Sequence, residues 1–175
     1  MKILVTYKSK TEFTKKYAEM IAKEVDGCLV EFKKMTAEKM SEFDVVVYGG
    51  GIYAGMINGI KKAREMFKQS SAQTFIVFAT GGTPNEAVKE IDEVWKFNLS
   101  EEELISIPHF YMQSGLCYEK MSFLNKTIMK MMSNVLSKKK NMDSTDDGFA
   151  QAIKNSYDIS SKKYAEPLIN LLLEK

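Results

Sequence analysis

The chain has 175 residues, of which 45% are hydrophobic and 27% charged, as in an ordinary soluble globular protein with one core. Its formal charge of +2 is too small to indicate nucleic-acid binding. Cys28 and Cys117 are the only cysteines and lack metal-site spacing, and no apolar run approaches the roughly 18 residues of a membrane span. Because Met1 leads directly into a strand pattern rather than a signal peptide, we expect a cytoplasmic protein.

Strands and helices alternate along the sequence. Five apolar runs predict buried strands, at 2–7, 28–32, 44–49, 74–79 and 105–113. Helical spacing predicts helices at 15–25, 58–69, 84–95 and 157–173, a helical turn within 35–43, and one long helix within 115–141 before a polar loop in the mid-140s. This alternation predicts an α/β fold of one domain, 1–175, with a parallel sheet covered on both faces.

Four loops rich in small residues follow predicted strands one, three, four and five. They are Ser9–Thr14, Gly49–Gly55, Thr80–Pro84 and Ser114–Tyr118. In open parallel sheets, ligands bind outside the carboxyl ends of the strands. The sequence therefore predicts a ligand site where these loops meet.

The first loop combines hydroxyl side chains with a helix N-terminus. Ser9, Thr11 and Thr14 offer hydroxyl donors to a phosphate, and the backbone amides at the start of the helix point toward the same place. The loop lacks the Gly-x-x-x-x-Gly-Lys-Ser/Thr pattern that wraps a triphosphate. An alternative is a capping box with Ser9 as N-cap and Glu12 three residues later, and the two interpretations are compatible.

The second and third loops are rich in glycine. Gly49, Gly51 and Ala54 have Gly-x-Gly-x-x-Ala spacing, but they follow the third strand rather than the first, which weakens a dinucleotide interpretation. Glycine lets the backbone approach a flat ring, against which Tyr53 would lie, and the alternative is a tight turn with a core tyrosine. The segment 80–83 would present amides to the edge of the same ring, or is simply a turn before a helix.

The chain lacks the usual marks of hydrolytic chemistry. Its single histidine, His109, falls inside a predicted strand, so we interpret it as a core residue rather than a catalytic base. We find no Ser/His/Asp arrangement, carboxylate pair or metal-ligand cluster in the sequence. We therefore assign no catalytic residue and no metal site.

Four segments resemble a known family. The segment 7–14, Tyr-Lys-Ser-Lys-Thr-Glu-Phe-Thr, resembles the flavodoxin phosphate loop. The segments 47–55, 114–118 and 124–132 are similar to the flavodoxin-domain branch that includes the oxygen-independent protoporphyrinogen oxidases (dehydrogenases). The resemblance implies a flavodoxin-like three-layer αβα sandwich with strand order 2-1-3-4-5, non-covalent FMN and redox chemistry. From the pattern of the residues we also expect an extra amphipathic helical segment at about 117–150.

The resemblance also implies which residues hold FMN. The phosphate would be held by Ser9, Lys10, Thr11, Phe13 and Thr14. The isoalloxazine would be flanked by Gly51, Ile52, Tyr53 and Ala54 on one side and approached by Thr80, Gly81 and Gly82 at its other edge, with Gly115 closing the site.

The implied function is electron transfer, or an oxidoreductase activity similar to protoporphyrinogen dehydrogenase, with a redox partner protein or a quinone as partner. Glu12 stands where the family usually has glycine, and a carboxylate beside a phosphate is unfavourable unless it turns outward. The alternative is a binding or regulatory module that kept the fold and no longer binds FMN.

A basic, methionine-rich amphipathic pattern covers Met121–Lys140. Such a helix would rest on anionic lipid at the inner face of the cell membrane, or form a wall for a flat substrate or a quinone. The alternative is a helix that covers an edge of the sheet and keeps its lysines in solvent.

Overall fold

A computed structural model describes residues 1–115, 117 and 156–174. Its strands are β1 (Ile3–Lys8), β2 (Cys28–Glu31), β3 (Val45–Tyr53), β4 (Met56–Ile57), β5 (Thr74–Gly81) and β6 (His109–Gln113). Its helices are α1 (Phe13–Glu24), α2 (Ala37–Met40), α3 (Ile60–Lys68), α4 (Val88–Asn98), α5 (Glu101–Ser106) and α6 (Glu166–Leu173), with 3-10 turns at Phe32–Lys34 and Lys162–Tyr164.

Five of the strands form a parallel sheet in the order β2-β1-β3-β5-β6. Counted along the chain without β4, this is the order 2-1-3-4-5, so the expected fold is confirmed. The register is set at the centre, where Val5 of β1 lies opposite Leu29 of β2 and Val47 of β3. The two-residue strand β4 was not predicted, and it pairs antiparallel with the end of β3.

Helices cover both faces of the sheet. On one face the buried core joins the sheet to α1 and α6, through Val5, Tyr17, Ile21, Val47, Phe78, Met112, Leu168 and Leu172. On the other face it joins the sheet to α2, α3 and α4, through Leu4, Met40, Val46, Tyr48, Ile60, Ala63, Val77 and Trp95. Alternate residues of β1 and β3 serve opposite faces, because side chains alternate along a strand. The architecture is therefore the expected three-layer sandwich.

The fifth predicted strand, 105–113, is wrong in its first half. Residues Glu101–Ser106 form α5, and the strand is limited to His109–Gln113. The cause is a capping box in which the Ser100 side chain accepts from the Glu103 amide while the Glu103 carboxylate accepts from the Ser100 amide. The Ser-x-x-Glu pattern at 100–103 was a readable signal of this helix.

Other boundaries also differ from those predicted. Pro84 does not open α4, because its carbonyl accepts from the Ala87 amide in a turn and the helix begins at Val88. The predicted helix 157–173 is confined to Glu166–Leu173, where Pro167 lies in the first turn, the position that tolerates proline. Strand β3 continues through its glycines to Tyr53 instead of ending at Gly49.

Contacts divide the chain into two compact units, Met1–Ser114 with Ser160–Lys175, and Gly115–Ile159. The helices and strands named above belong to the first unit. The predicted long helix within 115–141, the mid-140s loop and the amphipathic pattern of Met121–Lys140 lie outside the described residues, so they stay predictions, as does the single-domain organisation. Among the described helices, none has the length and apolar character needed to cross a membrane.

A partly buried ion pair joins α3 to α5. Arg64 binds the Glu103 carboxylate, whose side chain is 15% exposed, and Lys68 lies 3.7 Å from its other oxygen. Burial alone would raise the pKa of Glu103, but the hydrogen bond from the Ser100 backbone and the charges of Arg64 and Lys68 outweigh it and lower the pKa below its ordinary value of 4.5.

We expect Glu103→Gln to lower the free energy of unfolding at pH 7 by about 1–2 kcal/mol. Since the pKa is lower in the folded chain than in the unfolded one, the ionised carboxylate stabilises the fold above pH 4.5. This contribution disappears as the pH falls through the folded pKa. In urea titrations from pH 3 to pH 7, the unfolding free energies of the wild type and of Glu103→Gln should become equal at the lowest pH. The exposed Glu102→Gln control should match the wild type at every pH.

Candidate functional site

The turn between β1 and α1 is built around a left-handed backbone at Glu12. Glu12 has φ 71° and ψ −17° and is the N-cap residue of α1, without a side-chain cap hydrogen bond. The predicted capping box with Ser9 as N-cap is therefore wrong. The first bond within the helix runs from the Lys16 amide to the Glu12 carbonyl at 2.9 Å, so the preceding amides of the first turn have no intrahelical carbonyl to bind.

The hydroxyl of Ser9 is buried in this turn. Among the residues that the structure describes, no group forms a hydrogen bond with its Oγ. A buried hydroxyl without a partner costs roughly 1–3 kcal/mol, and in native proteins it usually indicates a partner that the chain itself does not supply. Together with the amides of the first turn, which have no intrahelical carbonyl to bind, and the N-terminal end of the helix dipole, it makes the turn suited to an anion.

Glu12 does not fill this space. Its side chain is 55% exposed, and its carboxylate lies 3.6 Å from the Nζ of Lys15. Lys15 also lies 3.8 Å from Glu19, one helical turn further on. The carboxylate is therefore turned toward the outer surface of α1, and part of its charge is offset there.

Three of the predicted loops meet at a pair of threonines. Thr14 in the first turn of α1 and Thr80 near the end of β5 are both buried, and their Oγ1 atoms lie 2.8 Å apart. Gly51 of β3 is beside them, because a Cβ added there would lie 3.3 Å from Thr14 Oγ1 and 3.8 Å from Thr80 Oγ1. The start of α1 and the carboxyl ends of β3 and β5 thus form one small polar centre.

The three consecutive glycines of β3 have different roles. A Cβ on Gly49 would lie 2.1 Å from the Phe78 ring, and one on Gly50 would lie 2.5 Å from Ile57, so these two glycines make room for the core and for β4. Only Gly51 faces the polar centre. The strand passes close to its neighbours here, which explains the missing side chains without a dinucleotide motif.

The end of β3 turns into a short hairpin with β4. Ala54 and Gly55 both have left-handed φ values, 47° and 78°, as in the two-residue turns that suit a hairpin. Tyr53 is 42% exposed, so it is not the core tyrosine of the alternative interpretation, and Lys10 Nζ lies 5.5 Å from the centroid of its ring. This contact links the β1–α1 turn to the hairpin.

The loop after β5 is held against β6. Ser114 donates to the Gly81 carbonyl through its amide at 2.8 Å, and Tyr111 Oη donates to the Thr83 carbonyl at 2.7 Å. Asn85 and Gln113 exchange two backbone-to-side-chain hydrogen bonds of 3.2 Å. The sequence did not predict these hydrogen bonds between the loop after β5 and β6, because they join residues far apart in the chain.

The remaining predicted residues are placed as follows. Thr11, Phe13 and Gly82 are half-buried, Lys10 is exposed, and Ile52 Cδ1 lies 3.4 Å from the Cβ position of Gly81. Gly115 belongs to the second unit, where a Cβ would lie 1.8 Å from the Tyr157 carbonyl oxygen, so a side chain does not fit there. The roles assigned to all these residues stay predictions.

His109 is bound within the fold, as its interpretation as a core residue requires. Its Nδ1 lies 2.8 Å from the Ile107 carbonyl oxygen, and its ring packs on Trp95 with centroids 4.7 Å apart. Over the described ranges, 1–115 and 156–174 with Cys117, no cluster of His, Cys, Asp or Glu has the makings of a metal site. The residues present at this edge of the sheet suit the binding of an anion in the β1–α1 turn, next to the exposed ring of Tyr53.

Comparison with known proteins gives a family match over most of the chain. A sequence model described as a flavodoxin domain matches residues 4–143. No curated protein matches the sequence.

Several solved structures are similar to this chain. A flavoprotein of Lactobacillus acidophilus in complex with FMN is 19% identical over 64% of this chain and 91% of its own, with a TM-score of 0.41. Flavodoxin 2 of Bacillus cereus is 21% identical over 63% and 84%, with a TM-score of 0.41. A WrbA-like flavodoxin of Agrobacterium tumefaciens is 12% identical over 99% and 98%, with a TM-score of 0.43.

Proposed function

The chain belongs to the flavodoxin-domain family, and we propose from this premise that it binds FMN non-covalently and acts as a redox protein. The observation that carries the proposal is the β1–α1 turn, where the buried Ser9 hydroxyl lacks a partner among the described residues at the N-terminus of α1. A terminal phosphate is the anion that such a turn accepts, and FMN has one.

Different residues of the site would bind the phosphate and the ring of FMN. Ser9 and the amides at the start of α1 hold the phosphate, while Thr14, Thr80 and Gly51 form the floor next to it. Tyr53 and the hairpin turn face the isoalloxazine on one side. When bound, FMN supplies the electron-transfer chemistry, and the protein determines its orientation and its access to partners.

The test of this proposal begins with colour. We expect the purified protein to be yellow, or to become yellow when FMN is added, and to quench the fluorescence of FMN with saturable binding. A colourless preparation that does not bind added FMN would leave the alternative, a binding or regulatory module with this fold.

The finer part of the proposal is an oxidoreductase activity of the protoporphyrinogen-dehydrogenase type. It is supported by the resemblance of segments 47–55, 114–118 and 124–132 to that branch of the family. Turnover of protoporphyrinogen with a quinone acceptor by the FMN-loaded protein would support it. FMN binding without such turnover would leave electron transfer to a redox partner protein as the function.

Contact with the membrane is a separate proposal, which rests on the basic methionine-rich pattern of Met121–Lys140. We expect the protein to float with liposomes that contain anionic lipid and to be released by high salt, because salt screens the attraction. Equal flotation with neutral lipid, or none with either, would contradict this proposal without affecting FMN binding.

Glu12 provides a prediction about affinity. Its φ of 71° is strained for a residue with a side chain but not for glycine, which accounts for the glycine that flavodoxins usually have here. We expect Glu12→Gly to strengthen FMN binding about twofold to fivefold, since it removes a negative charge near the phosphate. It should also leave stability unchanged or raise it by up to about 1 kcal/mol.

The variant Glu12→Gln is the matched control, because it removes the charge and keeps the strained backbone. We expect it to reproduce the gain in affinity at low salt without the gain in stability. If neither variant binds FMN more tightly, the carboxylate is too far from the phosphate to matter.

A further inference from the structure

Asn98, the final residue of α4, is bonded to the β3–β4 hairpin at its turn and at β4. Its Nδ2 donates to the Gly55 carbonyl at 2.7 Å and to the Val94 carbonyl at 2.7 Å, and its Oδ1 accepts from the Ile57 amide at 2.8 Å. Each polar group of the side chain is therefore in use. The hydrogen bond to Val94 holds the Asn98 side chain on its own helix. The bonds to Gly55 and Ile57 then hold the hairpin against this fixed side chain.

The hairpin needs such support. It consists of only two residue pairs, Ile52 with Ile57 and Tyr53 with Met56, and a hairpin of this length has little stability of its own. Ala54 adopts a left-handed φ of 47°, which costs roughly 1–2 kcal/mol for a residue with a Cβ. Strained backbone of this kind persists where its surroundings hold it in place.

The supported turn forms one wall of an open depression between the hairpin and α4. The depression is lined by Ala54, Gly55, Glu93, Val94, Lys96 and Phe97, and the Phe97 side chain is 68% exposed. The same β3 strand places Gly51 at the threonine pair, so the turn and the phosphate-binding turn lie at one edge of the sheet. In the proposed function, the hairpin turn is the part of the site that faces the ring of FMN rather than its phosphate.

We propose that Asn98 is a positioning residue that holds the β3–β4 turn in the conformation that receives the ring of the bound flavin. This inference rests on the proposed function, and it adds a residue from α4 that no predicted site loop contains. Asn98 would contact the backbone of the turn and not the flavin. Its loss should affect the ring and leave the phosphate contacts intact.

The test compares Asn98→Ala and Asn98→Asp with the wild type, with the exposed Asn170→Ala as control. The aspartate variant keeps an acceptor for the Ile57 amide and loses the donor to Gly55, while the alanine variant loses both. In the FMN-free protein, hydrogen exchange of the Ile57 amide should accelerate at least tenfold in Asn98→Ala and less than threefold in Asn98→Asp.

The ligand measurement uses FMN and riboflavin as separate probes. We expect both Asn98 variants to weaken both ligands by the same factor, about threefold to tenfold, because the ring is common to the two. We also expect the ratio of the Kd values for oxidised and reduced FMN to change at least threefold, which corresponds to about 14 mV for a two-electron couple. A residue that only stabilises the fold would not move this ratio.

The outcomes separate this inference from the proposed function. If the wild type binds neither FMN nor riboflavin, the proposed function fails and the inference fails with it. If the wild type binds FMN but both Asn98 variants have wild-type affinities and potentials, the positioning role is overturned and FMN binding stands.

Discussion

Replacing Ser9 by alanine is expected to weaken FMN binding by about tenfold to a hundredfold and to leave riboflavin binding unchanged. A hydrogen bond to a charged group contributes roughly 1.5–3 kcal/mol, and each 1.4 kcal/mol is a factor of ten in affinity. The Ser9 Oγ is buried without a partner among the described residues, so its removal costs the free protein little. Titration calorimetry with both ligands measures the two affinities.

The control for this change is Ser106→Ala. Ser106 is exposed on α5, where its hydroxyl donates to the Glu102 carbonyl at 2.8 Å, and its loss should change neither affinity. Equal weakening of FMN and riboflavin by Ser9→Ala would mean that Ser9 supports the ring, and no weakening would mean that the phosphate lies elsewhere.

Alanine substitutions of two glycines in β3 are expected to have large and different effects on stability and on FMN binding. We expect Gly49→Ala to lower the free energy of unfolding by about 3 kcal/mol, because the added Cβ would lie 2.1 Å from the fully buried Phe78 ring. We expect Gly51→Ala to change stability by less than about 1 kcal/mol and to weaken FMN binding about tenfold, since its methyl group enters the space beside Thr14 and Thr80. Urea unfolding and FMN titration of both variants check this.

Gly49→Ala and Gly51→Ala serve as controls for each other, because both are glycine-to-alanine changes and the two positions lie two residues apart on β3. Gly49→Ala protein that remains folded should bind FMN with nearly wild-type affinity. A Gly51→Ala variant that unfolds easily but binds normally would contradict the assignment of Gly51 to the site.

The sheet could be predicted from the sequence because its central strands are buried on both faces. The runs at 44–49 and 74–79 contain few polar residues, and in a chain where strands alternate with helices such runs are typical of a parallel sheet between two helical layers. The fifth strand was predicted too long because Ile105 and Ile107 extend its apolar pattern. Ile105 is in fact 90% exposed on α5, so the capping pattern at Ser100 was the better guide.

The meeting of the loops at one edge of the sheet could also be predicted, but the detailed structure there could not. The order of the loops along the chain brings Thr14, Gly51 and Thr80 to one edge, and this follows from topology alone. The same Ser-x-x-Glu pattern that caps α5 is also present at Ser9 and Glu12, where a left-handed Glu12 prevents it from forming. No local pattern indicates that Asn98 binds a turn 43 residues earlier, because that contact depends on packing between two elements.

The proposed function requires that the terminal phosphate of FMN bind where β1 passes into α1. The affinities of the wild-type protein for FMN and for riboflavin, measured at low and at high salt, test this requirement. We predict that FMN binds at least about a hundredfold more tightly than riboflavin, and that this preference narrows as salt rises. Equal affinities for the two ligands at low salt would contradict this requirement.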